Sequence, residues 1–304
     1  MVSLLSFDKT GLQFAWDSTS LSSFVTCPRK YYYSMLQGWT SEQRSVHLIF
    51  GGHYASALEH YHKHIAAGVS HNDALRLVVR EALENTWDRD NDVPQDWLHS
   101  SKTRDTLIRS IVWYLEHFKD DPMKTVILSD GRAAVEYSFS LDLSEDYTYC
   151  GHIDRLVTYG DADDIYVQDQ KTTGSQITPR FFEGYSPDYQ MTGYTWAGQA
   201  IFNMPVKGVV IDAAYIAVGF TAFGRQAIGR SEKQLEEFRT EALHYIGVAK
   251  KCHEEQYYPM NRTACGNYGG CEFRRVCSAV PGIRSNLLQG SFKKRDRWDP
   301  LARR

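Results

Sequence analysis

Asp154, Asp169 and Lys171 are of types and spacing that could hold a hard divalent cation beside a phosphodiester. Asp154 lies in Gly151-His152-Ile153-Asp154-Arg155, and Asp169-Gln170-Lys171 follows fifteen positions after it. Both stretches read as strands joined by a Gly- and Asp-rich turn at 160–164. In a strand, residues two apart share a face, so Asp169 and Lys171 project together, about 7 Å apart. Asp154, on the preceding strand of the hairpin, can reach the same face. Carboxylate oxygens suit Mg²⁺ or Mn²⁺, which would neutralise a phosphate and acidify water. A lysine there could orient or deprotonate the water, or stabilise developing charge. The plain alternative is a set of ordinary strand-edge charges. Gln190 and Tyr194, at i and i+4 of the following helix, share one face and could point back at the strand ends.

The elements that must position these residues follow from periodicity. Helical patterns are expected over 18–37 (reopened at Pro28), 53–67 after Gly51-Gly52, a Ser70-capped segment with Leu75, Val78, Val79 and Leu83 inward, and 103–119. Alternation then takes over: Val135, Tyr137, Phe139 and Leu141 alternate with polar residues, and 148–158, 165–171 and 206–218 read as further strands. Pro187 at a first-turn position opens a helix to about 202, and Ser231 caps a long helix carrying Leu235, Phe238, Ala242, Tyr245 and Ile246 inward. The expected fold class is α/β: a mixed central sheet flanked by helices. The parts are a helical N-terminal portion (18–120), a core (130–256), a Cys-rich segment (257–282) and a basic tail (283–304) with Lys293, Lys294, Arg295, Arg297, Arg303 and Arg304.

Composition excludes little. A net charge of -3 and pI near 6.4 do not advertise a nucleic-acid binder, yet a local basic groove is compatible with them. No apolar run is long enough to span a membrane and the N-terminus lacks a signal-peptide layout, so an intracellular, cytoplasmic protein is expected. There, six cysteines suggest metal or cluster ligation rather than disulfides. Cys265, Cys271 and Cys277 recur at intervals of six, and Cys27, in Cys27-Pro28-Arg29-Lys30-Tyr31, is the candidate fourth ligand. The absence of a Cys-x₂-Cys pair favours an iron–sulfur cluster over zinc. Cys150 and Cys252 read as buried thiols.

In order and combination, these pieces resemble the PD-(D/E)xK nuclease superfamily, in its RecB-like branch with a C-terminal iron–sulfur staple. That branch includes AddB nuclease domains and CRISPR-associated adaptation exonucleases, with stand-alone members in phages. The resemblance runs from Leu21–Tyr31 through Phe50-Gly51-Gly52 with Leu58-Glu59, the two acidic strand motifs, and Gln190 with Tyr194, to the final cysteines. It implies a restriction-endonuclease-like core and a nuclease acting on DNA from single-stranded ends. It also implies Asp154 and Asp169 as metal ligands, Lys171 as the catalytic lysine, Gln190 and Tyr194 as the motif that follows, and a structural 4Fe-4S cluster on Cys27, Cys265, Cys271 and Cys277. A helicase or recombination protein is the expected partner. The family commonly places a metal-binding histidine where this chain has Ala55. His53 would need a changed backbone to serve there, since two helical residues turn through roughly 200°. Glu59, one turn on, keeps nearly the same face, and His60 is its neighbour. His60 and His64 form an i, i+4 pair better read as a solvated helix face. Arg29, Lys30, Arg274 and Arg275 could line a DNA path, and Tyr31, Tyr32 and Tyr33 could stack bases. The competing reading is a DNA-end-binding subunit of a recombination complex with a degenerate site.

Overall fold

Alternation sets the sheet. In the computed structural model, which describes residues 6–41 and 45–302, the strands are β1 (Ala15–Trp16), β2 (Lys124–Thr125), β3 (Val135–Asp142), β4 (Thr148–Tyr159), β5 (Asp164–Thr173), β6 (Val206–Ile216) and β7 (Thr221–Gly229). They form one seven-stranded sheet in the order β1-β4-β5-β6-β7, with β2 and β3 also paired to β4. The β4/β5 and β6/β7 pairs are antiparallel, whereas β5/β6 and β1/β4 are parallel. A mixed sheet with flanking helices is the expected α/β class. The tail residues Arg303 and Arg304 lie outside the described residues.

The principal helices are α1 (Val46–Ala66), α2 (His71–Asn85), α3 (Arg104–His117), α4 (Tyr189–Phe202) and α5 (Glu232–Glu254). Two compact units divide the chain, each built from non-contiguous segments. One comprises residues up to Gln43, Phe139–Gly151 and Lys233 onward; the other comprises Arg44–Ser138 and His152–Glu232.

In the second unit, α1, α2 and α3 bury Phe50, Tyr54, Leu58, Val78, Leu107, Ile111 and Tyr114 with Ala214 and Ile216 of β6. Here α1 begins at Val46, so Gly51 and Gly52 lie inside the helix rather than ahead of it. Two helical glycines cost about 1 kcal/mol each, and the Phe50–Tyr54–Leu58 stripe that continues across them holds the helix against the core. Helix α2 is capped by Ser70 as expected, but its buried stripe is Ala74, Val78 and Ala82, with Leu83 exposed. Pro187 lies outside α4, whose N-cap is Asp188 accepting from Met191 N–H at 3.0 Å.

Glycine is required in β6 where it meets β7. A Cβ on Gly208 would stand 2.1 Å from Ile228 O and 2.8 Å from Gly229 Cα, both backbone atoms unable to swing aside. Gly208→Ala is expected to destabilise the fold by about 2–3 kcal/mol through this overpacking. Urea denaturation checks it, and an unchanged midpoint would contradict the strand contact.

In the first unit, Asp17 caps the helix Ser18–Thr26, accepting from Ser20 N–H at 2.7 Å. Pro28 opens the next helix, as expected. Tyr33, Phe273, Val276 and Leu288 form a small core, above which Trp39–Ser41 pairs antiparallel with Phe292–Lys294.

Candidate active site

The β4/β5 ladder ends where Arg155 pairs with Gln168, and Asp154 and Asp169 lie one position beyond that pair on their strands. Both carboxylates therefore share one face, and Arg155 and Gln168 take the other. Asp154 Oδ2 accepts from Gln170 N–H at 3.1 Å, which holds its carboxylate over β5. Lys171 Nζ lies 2.5 Å from Asp169 Oδ2 and donates to Gln190 Oε1 at 3.2 Å. Gln190 Nε2 in turn donates to Tyr194 Oη at 3.1 Å. The five residues Asp154, Asp169, Lys171, Gln190 and Tyr194 thus form one continuous polar set, carried by two strands and the first turns of α4.

Its electrostatics follow from crowding. Asp169 is 2% exposed. Burial, and then the Asp169 charge, push the Asp154 carboxyl up to about 7. Burial likewise raises Asp169 against the opposing pull of Lys171. For Lys171, burial disfavours the ammonium, but the charge and hydrogen bond of Asp169 prevail and its pKa is raised. One ammonium therefore serves two facing carboxylates. A hard divalent cation with oxygen preference suits that donor set, because its charge would relieve the repulsion that burial amplifies.

The remaining candidates have other partners in this structure. The His53 ring stacks on Trp97, with centroids 5.9 Å apart and planes 6° from parallel, and burial lowers its pKa. Glu59 ion-pairs with Lys63 on its own helix. Among the described residues no three His, Cys, Asp or Glu side chains are gathered closely enough to hold a metal ion. Among the described residues, the two aspartates are not gathered with a third such side chain at ligating distance. His60 pairs with Glu81 at 2.6 Å.

Glu136 is an acidic residue that the sequence reading missed. Leu156 N–H donates to Ala134 O at 2.8 Å, and Ser138 Oγ meets His152 Nδ1 at 2.9 Å. The same register sets Glu136 opposite Asp154. Burial first, then the charge of Glu59, raises its pKa, and Glu136 in turn contributes to raising Asp154. Its φ of 49° is left-handed, a conformation costing a non-glycine residue about 1 kcal/mol. In the sequence Glu136 is one of the polar positions of an alternating strand, and nothing there sets it apart from Ser138, Ser140 or Asp142.

The cysteines belong to the first unit. Cys27, Cys265, Cys271 and Cys277 are all free and partly buried, whereas Cys150 and Cys252 are buried, as expected. Burial raises the pKa of Cys271 and of Cys277, opposed by the Phe273 backbone hydrogen bond and Lys30 at the first and by Arg29 at the second, and each lies within electrostatic reach of Cys27. Asn261 N–H points to Cys27 Sγ at 3.4 Å, and Arg29 N–H donates to Pro259 O at 3.1 Å, tying the Cys27 turn to the segment that leads into Cys265. The four thiols are neighbours, but not drawn together as a ligand set. Tyr31 and Tyr33 are core residues, 2% and 5% exposed, while Tyr32 stacks on Tyr258 at 4.6 Å. Arg274 and Arg275 are exposed.

No curated protein sequence matches the chain. Among solved structures, it is similar to a Eubacterium rectale protein assigned provisionally as an exonuclease, with TM-score 0.51, 9% identity, and coverage of 92% of this chain and 94% of that one. At that identity the likeness speaks for the fold alone. SSO0001 is also similar in part, at 14% identity over 46% of this chain and 60% of that one, but its TM-score of 0.26 carries no argument. The model of the PD-(D/E)XK nuclease superfamily matches residues 16–278, a span that holds both acidic strands, α4 and all six cysteines. The mixed sheet, the facing aspartates and that match agree, and the chain belongs to the PD-(D/E)XK nuclease superfamily.

Proposed function

We propose that the protein is a divalent-metal-dependent DNA exonuclease that hydrolyses phosphodiester bonds from single-stranded ends, in recombination, repair or phage DNA processing. The observation that carries this reading is the continuous Asp154–Asp169–Lys171–Gln190–Tyr194 set. Asp154 and Asp169 would hold Mg²⁺ or Mn²⁺, with Glu59 and His53 proposed to complete the site only if their present partners are released. The ion supplies positive charge to the phosphate and lowers the pKa of water. Lys171, kept an ammonium by Asp169, presents positive charge where the phosphate gains negative charge. Gln190 fixes the lysine's direction by accepting from it, and Tyr194 fixes the amide.

Within the superfamily we assign the chain to the branch of AddB-like and CRISPR adaptation exonucleases, acting with a helicase or recombination protein. The motif order along the chain supports that branch, and the exonuclease assignment of the Eubacterium rectale fold neighbour accords with an exonuclease. We further propose that Cys27, Cys265, Cys271 and Cys277 take a structural 4Fe-4S cluster. Four free thiols within electrostatic reach of one another support it. Aerobically stable brown protein absorbing at about 400 nm is the expected result, while colourless protein carrying zinc would contradict it.

Labelled 5′- and 3′-tailed DNA tests the enzyme reading. Release of short products from single-stranded ends with Mg²⁺ or Mn²⁺, and none in chelator, is expected. A second reading, an end-binding subunit with a degenerate site, is motivated by Ala55 and the absence of a third ligand among the described residues. Tight binding to the same DNA without cleavage under either metal would establish it instead.

A further inference from the structure

The face of β4 and β5 opposite the aspartates holds a buried guanidinium with no carboxylate of its own. Arg155 is 3% exposed, and its Nη1 contacts the His62 ring at 2.7 Å. Its Nε and Nη2 are buried with no hydrogen-bond partner. Two carboxylates stand nearby, and Arg225 engages both: Nη1 to Asp121 Oδ2 at 2.7 Å and Nε to Asp212 Oδ2 at 2.8 Å. Asp212 also accepts from Tyr114 Oη and Gln168 Nε2, each at 2.5 Å. Burial and the neighbouring arginines hold the His62 pKa well below its usual value, so its ring is neutral and supplies no counter-charge.

Arg155 lines a cavity of about 110 Å³ whose other walls include His62, Phe118, Lys119, Asp121 and Lys124. A buried donor left unpaired is costly, more so when charged. The space is that of roughly three to four waters, or of a single tetrahedral anion. Among the lining residues Arg155, Lys119 and Lys124 outnumber Asp121, whose carboxylate Arg225 already engages, so the cavity carries surplus positive charge. We infer that this cavity is a binding site for a small oxyanion of phosphate size, received by Arg155 Nε and Nη2, with Lys119 and Lys124 at its mouth. It lies on the reverse of the sheet from Asp154 and Asp169, so it does not coincide with the proposed metal site. The inference does not depend on the nuclease reading.

Thermal unfolding of the full chain in rising inorganic phosphate, with chloride added to constant ionic strength and no divalent metal, tests it. The expected result is a saturable rise in melting temperature with half-effect in roughly the millimolar range. Arg155→Met should shift the half-effect at least about 10-fold, since a charged bidentate donor is lost. Lys119 and Lys124 are exposed and can be replaced without disturbing the core. The double variant Lys119→Ala/Lys124→Ala should shift the half-effect about 3-fold even if Arg155→Met folds poorly. A wild-type melting temperature that phosphate raises no more than chloride does, or a dose–response unchanged in the double variant, would overturn the site and leave the cavity to water.

Discussion

Lys171→Met is expected to lower DNA hydrolysis by about 10³-fold, while DNA binding stays within a few-fold of wild type. The ammonium is the positive charge that Asp169 holds at 2.5 Å and Gln190 orients at 3.2 Å. Removing it takes away charge stabilisation that matters most as the phosphate becomes more negative, so turnover falls and ground-state binding does not. The fold should survive, because Asp169 can take up a proton in place of the lost partner. Gln190→Ala should have a milder effect of the same kind, since it removes the lysine's guide and leaves the charge. Single-turnover cleavage with a parallel binding measurement checks both; a Lys171→Met variant that binds weakly yet cleaves at the wild-type rate would contradict the assignment.

Asp154→Asn is expected to abolish hydrolysis and yet to stabilise the metal-free protein, with a gain that grows as pH rises. Burial and the facing Asp169 raise the Asp154 carboxyl to about 7. A carboxylate whose folded pKa is raised contributes stability only while it is protonated. That contribution is complete below the unfolded value of about 3.9 and is lost as pH climbs through about 7. Asparagine keeps the shape and carries no charge at any pH. The variant should therefore match wild type near pH 4 and exceed it by about 2 kcal/mol near pH 8, after allowance for the partial exposure of Asp154. That corresponds to a melting temperature roughly 4 °C higher. Divalent metal should narrow the gap by stabilising wild type alone. Melting curves from pH 4 to 8 with chelator decide it, and a variant less stable than wild type at pH 8 would contradict the crowding of the two aspartates.

The parts of the site that were legible in the sequence are those set by local periodicity. Period two placed Asp169 and Lys171 on one face, a hairpin placed Asp154 beside them, and i, i+4 spacing placed Gln190 beside Tyr194. What was not legible depends on partners far along the chain. Nothing in the sequence near Arg155 announces Arg225, seventy positions on, whose claim on Asp121 and Asp212 leaves Arg155 unpaired. Glu136 was missed for the same reason: its meaning comes from the residue opposite it in the sheet. Gly51 and Gly52 misled through propensity, because tertiary burial of Phe50 and Tyr54 outweighs the cost of helical glycine. Strand β7 was overlooked because Thr221–Gly229 lacks clean alternation, being held as a strand by its pairing along β6.

The two faces of the sheet carry different sets of residues. One carries the aspartate–lysine set, and the other carries a charge network in which Arg225 of β7 engages Asp212 of β6, Asp121 and Tyr114, tied to β5 through Gln168. The most direct measurement of the central claim is cleavage of end-labelled single-stranded DNA in Mn²⁺ by wild type and Asp169→Ala side by side. Wild type is expected to release short products that chelator abolishes, and Asp169→Ala to release none. Equal cleavage by both proteins would contradict the account.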